Sequence, residues 1–372
     1  VRADAEAPGR VHADNPDQKE HTMTAPEKTV RWGILGAGRI AHRFAASLAH
    51  VPDARLVALS CRTAAKAAAF GAAFGVDATG ALSDEALGNE PGAAHEALLA
   101  RDDIDAIYLA LPHGLHYPWA MRAIAQGKAV LCEKPAMLDA REMREVAQAA
   151  RAGGVLFMEA LKTRFTPCYR RVRALVDAGA IGEIVRVECA LENDMGGRIA
   201  AGNDYMSDPR QGGVLLDTGI YCAGWLEDFL AGTPEVASCR TRYEGAVDSF
   251  VDAELVYPRA TGRLIAAGDT AELPRQARLV GTEGEIVVDD LHRPEHAVLM
   301  RQGAAPEEIC LPYEVDDFFG QIDHFCALVR AGATESPVVP LAASIRTAEL
   351  LDAIRAAFPP RDSAVQHPGA TV

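Results

Sequence analysis

The ten residues from Trp32 to Ala41, WGILGAGRIA, constrain this chain more than any other stretch. An apolar strand runs directly into a glycine turn, and the turn opens a helix. Gly36, Gly38 and Ala41 form G-x-G-x-x-A. The first glycine permits the tight turn, and the second lets backbone approach a pyrophosphate. The third position needs a small residue for helix-on-strand packing, which alanine supplies. A diphosphate then rests on the first turn of the helix expected over Arg39–Ala49, where free N–H groups and the dipole favour negative charge. Gly36, Gly38, Arg39, Ile40 and Ala41 are therefore the first candidate cofactor contacts. A glycine turn with no ligand is the alternative, and the strand before it and the helix after it count against that.

The end of the next strand discriminates between two dinucleotides. An acid there would accept hydrogen bonds from a ribose 2′-hydroxyl, but the chain carries Ser60-Cys61-Arg62-Thr63. Without an acid and with a guanidinium at hand, a 2′-phosphate is accommodated rather than repelled. Cys61 and Arg62 are the candidate contacts, and NADP is the expected cofactor. If Arg62 only stacks on the adenine, NAD is possible too.

From Val30 onward short apolar runs alternate with helical stretches, which implies a parallel sheet covered on both faces. Strands are expected over Val30–Leu35, Arg55–Ser60, Asp105–Leu111 and Ala129–Cys132, with helices over Ala64–Phe74 and Pro118–Gln126. Thr79–Ala93, with its Gly, Asn and Pro, reads as a surface insertion. After Gly153-Gly154 the character changes. A strand at Val155–Glu159 and a helix at Pro167–Asp177 lead into strands at Ile184–Leu191, Val236–Tyr243, Ser249–Tyr257, Thr261–Ala267, Gln276–Val280 and Gly284–Asp289. With 372 residues, two domains are the default. The fold class is α/β: a Rossmann doubly wound parallel sheet over 28–153, then an α+β domain with a large, open, mostly antiparallel sheet over 154–359. Residues 1–27 read as a disordered leader, with Met23 as an alternative start, and 360–372 as a tail. Helices near Phe318–Arg330 and Ala342–Ala357 are expected to pack back on the first domain. The uncovered sheet face calls for another subunit, so a homodimer or homotetramer is expected.

A formal charge of −15, with no local Lys/Arg cluster, argues against a nucleic-acid partner. No run approaches a membrane span. The eight cysteines are scattered without a C-x-x-C pair and read as reduced thiols of a cytoplasmic protein. No His, Cys and carboxylate set has metal-site spacing, so no metal is expected.

The second informative motif is AVLCEKPA, Ala129–Ala136, in which a strand ends in Glu133-Lys134-Pro135. It closes at the carboxyl edge of the sheet, where doubly wound folds bind ligands. A lysine there can hold a substrate oxygen and stabilise charge developing on it. A surface lysine at a strand end is the plainer reading. Pro135 is a position that tolerates a cis peptide.

WGILGAGRIA, CEKPA and GGVLLDTGIYCAGWL (Gly212–Leu226) together resemble the Gfo/Idh/MocA oxidoreductases, over about Arg31–Pro359. The resemblance implies a Rossmann domain followed by an α+β domain whose open sheet makes subunit contacts. It also implies that Lys134, Asp217 and Tyr221 face a nicotinamide. The tyrosine in DTGIYC and the segment MEALKTRFTP (Met158–Pro167) are most similar to the dihydrodiol and D-xylose dehydrogenase branch, from which Lys162-Thr163-Arg164 departs. By the same resemblance Leu111, Pro112 and His116 border the nicotinamide together with Glu133, while His113 is expected to have no catalytic role. Arg164 and Asn193 are candidate contacts to a polyol.

Oxidising a carbinol requires hydride loss to the nicotinamide and proton loss from the hydroxyl. The expected roles are Tyr221 as acid/base, Lys134 lowering its pKa and polarising the substrate oxygen, and Asp217 keeping the lysine in register. Asp217 and Tyr221 share one face if Leu216–Phe229 is helical. Against those roles stands a core tyrosine with its hydroxyl satisfied. The expected substrate is a sugar, polyol or vicinal diol. Rival readings are a glycosidase with tightly bound NAD and a non-catalytic NADP sensor.

Overall fold

The computed structural model describes residues 28–269 and 273–361. The expected leader over 1–27 and most of the expected tail lie outside them. The first sheet is built from β1 (Val30–Leu35), β2 (Ala54–Cys61), β3 (Ala81–Ser83), β4 (Ala106–Leu109), β5 (Ala129–Cys132) and β6 (Phe157–Glu159). Their order is β3-β2-β1-β4-β5-β6, and every adjacent pair is parallel. The helices between them are α1 (Arg39–Leu48), α2 (Ala64–Phe74), α3 (Ala93–Leu99), α4 (His116–Ala125) and α5 (Ala140–Gly153). The chain order reverses between β1 and β4, and that switch point is where such sheets bind ligands.

Two expectations are corrected here. Thr79–Ala93 is not a surface insertion: it supplies the edge strand β3 and the entry to α3. Three residues are too few to show a period. The polar Asp84 is buried because it accepts from the N–H groups of Gly92 at 3.0 Å and Ala94 at 2.9 Å. The strand expected to open the second domain is instead β6, paired with β5, so it closes the first sheet. The sheet therefore extends past the 153/154 boundary.

The second sheet follows α6 (Pro167–Asp177). Its strands are β7 (Ile184–Glu192), β8 (Glu235–Glu244), β9 (Val247–Val256), β10 (Thr261–Ala267), β11 (Gln276–Gly281), β12 (Gly284–Asp289), β13 (His296–Arg301) and β14 (Glu307–Cys310). The order is β14-β13-β12-β11-β7-β10-β9-β8, antiparallel except for β7 with β10. The last two strands were not expected: the continuous apolar run of β13, Ala297–Met300, and the four residues of β14 show no alternation. Two helices precede β8: α7 (Gly196–Ala201) and α8 (Ile220–Phe229), the latter lying against β7 and β10. The opposite face mixes charged and apolar side chains, with Ile265, Val287 and Val298 beside Arg263 and Arg278. Arg263 pairs with Asp252 at 2.9 Å and Glu254 at 3.3 Å, and Arg278 pairs with Glu188 at 3.6 Å and Glu285 at 2.5 Å.

The closing helices α9 (Phe319–Arg330) and α10 (Leu341–Ala356) return to the first domain. Phe325 of α9 meets the fully buried Trp32 of β1 at 5.2 Å between ring centroids. Asp352 of α10 accepts from the Ala140 N–H at 2.9 Å, at the start of α5. These contacts fix how the second domain sits over the carboxyl edge of the first sheet.

Candidate active site

The glycine turn has the shape a diphosphate requires. Gly36 sits at φ +102°, and a Cβ there would lie 2.4 Å from the Ala110 carbonyl oxygen. A Cβ on Gly38 would meet nothing within 4 Å, so the backbone is open to approach at that point. Gly38 caps α1 with no side-chain acceptor and no acid in the first turn, which leaves the first-turn N–H groups for an anion. Ala41 is fully buried against the sheet, as the motif demands. Arg39 and Ile40 line a cavity of about 300 Å³ over the sheet edge. At the end of β2 the Cys61 thiol is buried and donates to the Thr63 carbonyl at 3.3 Å, while Arg62 stands exposed.

The lysine motif ends β5 inside the same cavity, followed by a cis Lys134–Pro135 bond. Lys134 Nζ donates to the Asp217 carbonyl at 2.7 Å and to Asp217 Oδ1 at 2.9 Å. It also lies 5.0 Å above the Tyr221 ring. Glu133 accepts a hydrogen bond from the buried Tyr108 hydroxyl, whose ring stacks on Phe44 at 3.8 Å. Asp217 and Tyr221 do not lie on one α-helix. Leu215–Gly219 forms a π-helical turn that passes into α8. Such widened turns recur at functional sites. This one brings both the carboxylate and the carbonyl of Asp217 to the lysine across the domain boundary.

Burial alone would lower the Lys134 pKa, but the Asp217 charge outweighs it and the ammonium is held above its ordinary range. Burial would raise the Asp217 carboxyl, but Lys134 overrides it and holds the group at about 2. The pair is thus charged throughout the physiological range. Tyr221 corrects one expectation. Burial raises its phenol to about 12 despite the opposing pull of Lys134. The ammonium stands over the ring face, so its charge offsets only part of the desolvation.

His113, for which the sequence suggests no catalytic role, is a close neighbour of the pair. It is buried in the loop after β4, with Nδ1 2.9 Å from the Gln211 carbonyl and Nε2 3.9 Å from Asp217 Oδ1. Burial keeps its pKa down at about 3, so the ring is neutral. His116 is fully buried, with Nδ1 2.9 Å from the Pro135 carbonyl and Nε2 2.8 Å from the Leu111 carbonyl. It bolts the loop to the lysine motif. Leu111 lines the cavity, whereas Pro112 only turns the chain into His113–Leu115.

Asn193 lines the cavity as expected, but Arg164 does not. It is buried elsewhere, with Nη2 2.7 Å from Asp228 Oδ1 and Nε 2.9 Å from Asp228 Oδ2. Its charge is spent on an internal pair, so the expected polyol contact is not made. Lys162, Tyr205, Arg275, His292 and Arg293 line the cavity without having been anticipated. Only Lys162 left a trace in the sequence, as the residue that departs from the branch pattern.

A dinucleotide cradle facing a charged lysine–carboxylate pair and a phenol defines a nicotinamide-dependent oxidoreductase. Comparison with known proteins gives the family. A profile of the GFO/IDH/MocA oxidoreductases, NAD-binding Rossmann fold, matches residues 30–161, and their C-terminal domain profile matches 169–287. The chain belongs to this family. It is 32% identical to mouse trans-1,2-dihydrobenzene-1,2-diol dehydrogenase, covering 88% of this chain and 97% of the relative. It is 29% identical to the NADP(+)-linked scyllo-inositol 2-dehydrogenase of Bacillus subtilis, over 88% and 96%. A 3-ketoreductase from Actinomadura kijaniata, solved with NADP, superposes with a TM-score of 0.74 at 28% identity, over 89% and 98%.

Proposed function

We propose that this oxidoreductase uses NADP to interconvert a carbonyl and a carbinol on a sugar, polyol or vicinal diol. The observation that carries the reading is Lys134 Nζ, held 2.9 Å from Asp217 Oδ1 and 5.0 Å over Tyr221, in the cavity that Arg39 and Ile40 enter from the glycine turn. The choice of NADP is supported by the exposed Arg62 and the absence of an acid in Ser60–Thr63. It is supported too by the NADP in the names of the Bacillus and Actinomadura relatives.

Bound NADP supplies the hydride donor or acceptor. Lys134, fixed by Asp217, donates to the substrate oxygen and offsets the negative charge that grows there. Tyr221, protonated at neutral pH, gives its phenolic proton to that oxygen in reduction and takes it back in oxidation. Neutral His113 lies beside Asp217 in the cavity wall, 3.9 Å from its Oδ1, and adds no charge there. Arg39, Ile40 and the α1 N-terminus hold the diphosphate, and Leu111 and Glu133 border the nicotinamide.

Two further readings concern the whole particle. The Arg and carboxylate rows on the open sheet would be complementary across a two-fold axis, which supports a homodimer or homotetramer. Light scattering tests this, and a monomer at micromolar concentration refutes it. The eight cysteines form no disulfide, and most are buried, which supports a reducing, cytoplasmic compartment. No helix among the described residues is long and apolar enough to cross a membrane.

The activity test is absorbance at 340 nm with NADP and NAD in parallel against aldoses, inositols and vicinal diols. NADP-linked turnover supports the reading. Bound cofactor with no turnover on any of them removes it.

A further inference from the structure

The cavity lining carries more positive charge than the reaction needs. Arg39, Arg43, Lys134, Lys162, Arg198, Arg275 and Arg293 line it, against only two carboxylates, Glu133 and Asp217. Both carboxylates are already engaged, with Tyr108 and Lys134. Arg198 is answered by Asp204, and Arg275 by Asp290 and Glu192, behind the lining, so the unbalanced charge lies with Arg43, Lys162 and Arg293.

Its centre is Asp317, just before α9. Lys162, Arg43 and Arg293 all pair with this one buried carboxylate, Arg293 at 3.0 Å. Three cations on one anion leave a formal surplus of two. Lys162 is itself 4% exposed, and Lys162 and Arg43 lie 5.3 and 4.6 Å from the Phe318 ring. Apolar surroundings make unbalanced charge costly unless another anion completes the set. Burial and the neighbouring arginines outweigh the pull of Asp317 and bring the Lys162 pKa down to about 8, the direction expected of a site short of negative charge.

The cluster adjoins the reacting groups. His292, whose ring centroid is 5.2 Å from that of Tyr221, stands between them, with Nδ1 2.7 Å from Asp290 Oδ1 and 3.1 Å from Arg275 Nη2. Burial, reinforced by the Lys162 and Arg293 charges, holds its pKa at about 4, so it is neutral and suited to a hydroxyl. The cofactor diphosphate has its own receptor at Gly38 and the first turn of α1. Lys162 and Arg293 come instead from the segment after β6 and the loop after β12.

We propose that this wall beside Tyr221 is an anion subsite, and that the substrate is a sugar or polyol carrying a carboxylate or phosphate. The proposal deepens the oxidoreductase reading and rests on it. Lys162 and Arg293 hold the anion, His292 contacts a hydroxyl between, and the reacting carbon lies at Lys134 and Tyr221.

The test is calorimetric titration of the NADP-saturated protein with D-glucuronate, D-glucose 6-phosphate and neutral D-glucose. NADP affinity is measured separately by titrating the free protein. Charged hydrogen bonds of this kind predict at least about tenfold tighter binding of one anion than of glucose. Preference for glucuronate or for the 6-phosphate identifies the group. Lys162→Met and the milder Arg293→Gln, at a side chain 44% exposed, should each remove the preference and leave NADP affinity within about twofold. Equal or undetectable binding of all three sugars overturns the proposal. So does a loss of NADP affinity in both variants, which would assign the cations to the cofactor phosphates. If wild-type protein binds no NADP, the failure lies in the oxidoreductase reading instead.

Discussion

Asp217→Asn tests the central electrostatic claim. The substitution keeps the side-chain shape and the main-chain acceptor at 2.7 Å from Lys134 Nζ but removes the charge that holds the ammonium. Both side chains are nearly buried, 12% and 13% exposed. Breaking such a pair costs about 3–5 kcal/mol, and the surviving carbonyl contact places the loss near about 3. The ionisation of Lys134 should move further than the stability. Without Asp217, Lys134 keeps the burial that lowers its pKa and loses the largest influence raising it. It should then titrate below the ordinary lysine range. In wild-type protein kcat/KM should not fall from Lys134 deprotonation up to pH 10. In the variant it should drop about tenfold per pH unit above the new pKa, with partial recovery towards pH 6. The assay is initial-rate kinetics at 340 nm from pH 6 to 10. A variant whose rate is reduced by one factor at every pH, with no new alkaline limb, would refute the argument that Asp217 keeps Lys134 charged.

Tyr221→Phe removes the proton donor but keeps the ring contacts to Lys134 and His292, so turnover should fall at least about a hundredfold with NADP binding intact; near-normal rates would return the residue to a packing role. Gly38→Ala should fold with an unchanged melting temperature, because its Cβ meets nothing, yet lose NADPH fluorescence enhancement; Gly36→Ala, at φ +102° and 2.4 Å from a carbonyl, should be destabilised by about 1–3 kcal/mol. Arg62→Ala should weaken NADP more than NAD, and equal losses by titration would remove the 2′-phosphate argument. Asp105 receives the Arg31 N–H and Nε, both at 2.9 Å, and these bonds override burial to bring its carboxyl to about 2. A depressed carboxyl stabilises the fold above its unfolded pKa near 4 and loses that as pH falls through 2, so Asp105→Asn should cost about 2 kcal/mol in urea unfolding at pH 7 and little at pH 2.

What could be read in the sequence was whatever repeats a local rule. The strand–turn–helix at Trp32–Ala41 and the strand ending in Lys134 carry their geometry in consecutive residues, and both stand where the pattern places them. Asp217 and Tyr221 were legible through the family resemblance, but the π-helical turn that aims Asp217 at Lys134 was not, since one extra residue in a turn leaves no periodic trace. Arg164 misled because a charged residue near the site looks like a ligand contact until its partner, Asp228, is found 64 positions away. The surroundings of His113 were hidden for the same reason: its neighbours Gln211 and Asp217 lie about 100 residues further on. Lys162, Arg293 and Asp317 meet only after three separate segments have folded together.

The role proposed for Lys134 ties the reaction to the docking of the two domains. Its ammonium belongs to the first sheet and its carboxylate to the second domain, and neither is stable buried without the other. Their distance is set by packing remote from the chemistry, with α9 against Trp32 and α10 against the start of α5. A loosened α9 would let the domains part and lengthen the Lys134–Asp217 distance, weakening the charge that most raises the lysine's pKa. A cavity at Phe325, the α9 ring that meets Trp32, should therefore reproduce part of the alkaline limb predicted for Asp217→Asn, although the ring touches neither cofactor nor substrate. Loss of stability without any change in the pH profile would show that the pair holds its geometry independently of the domain contact.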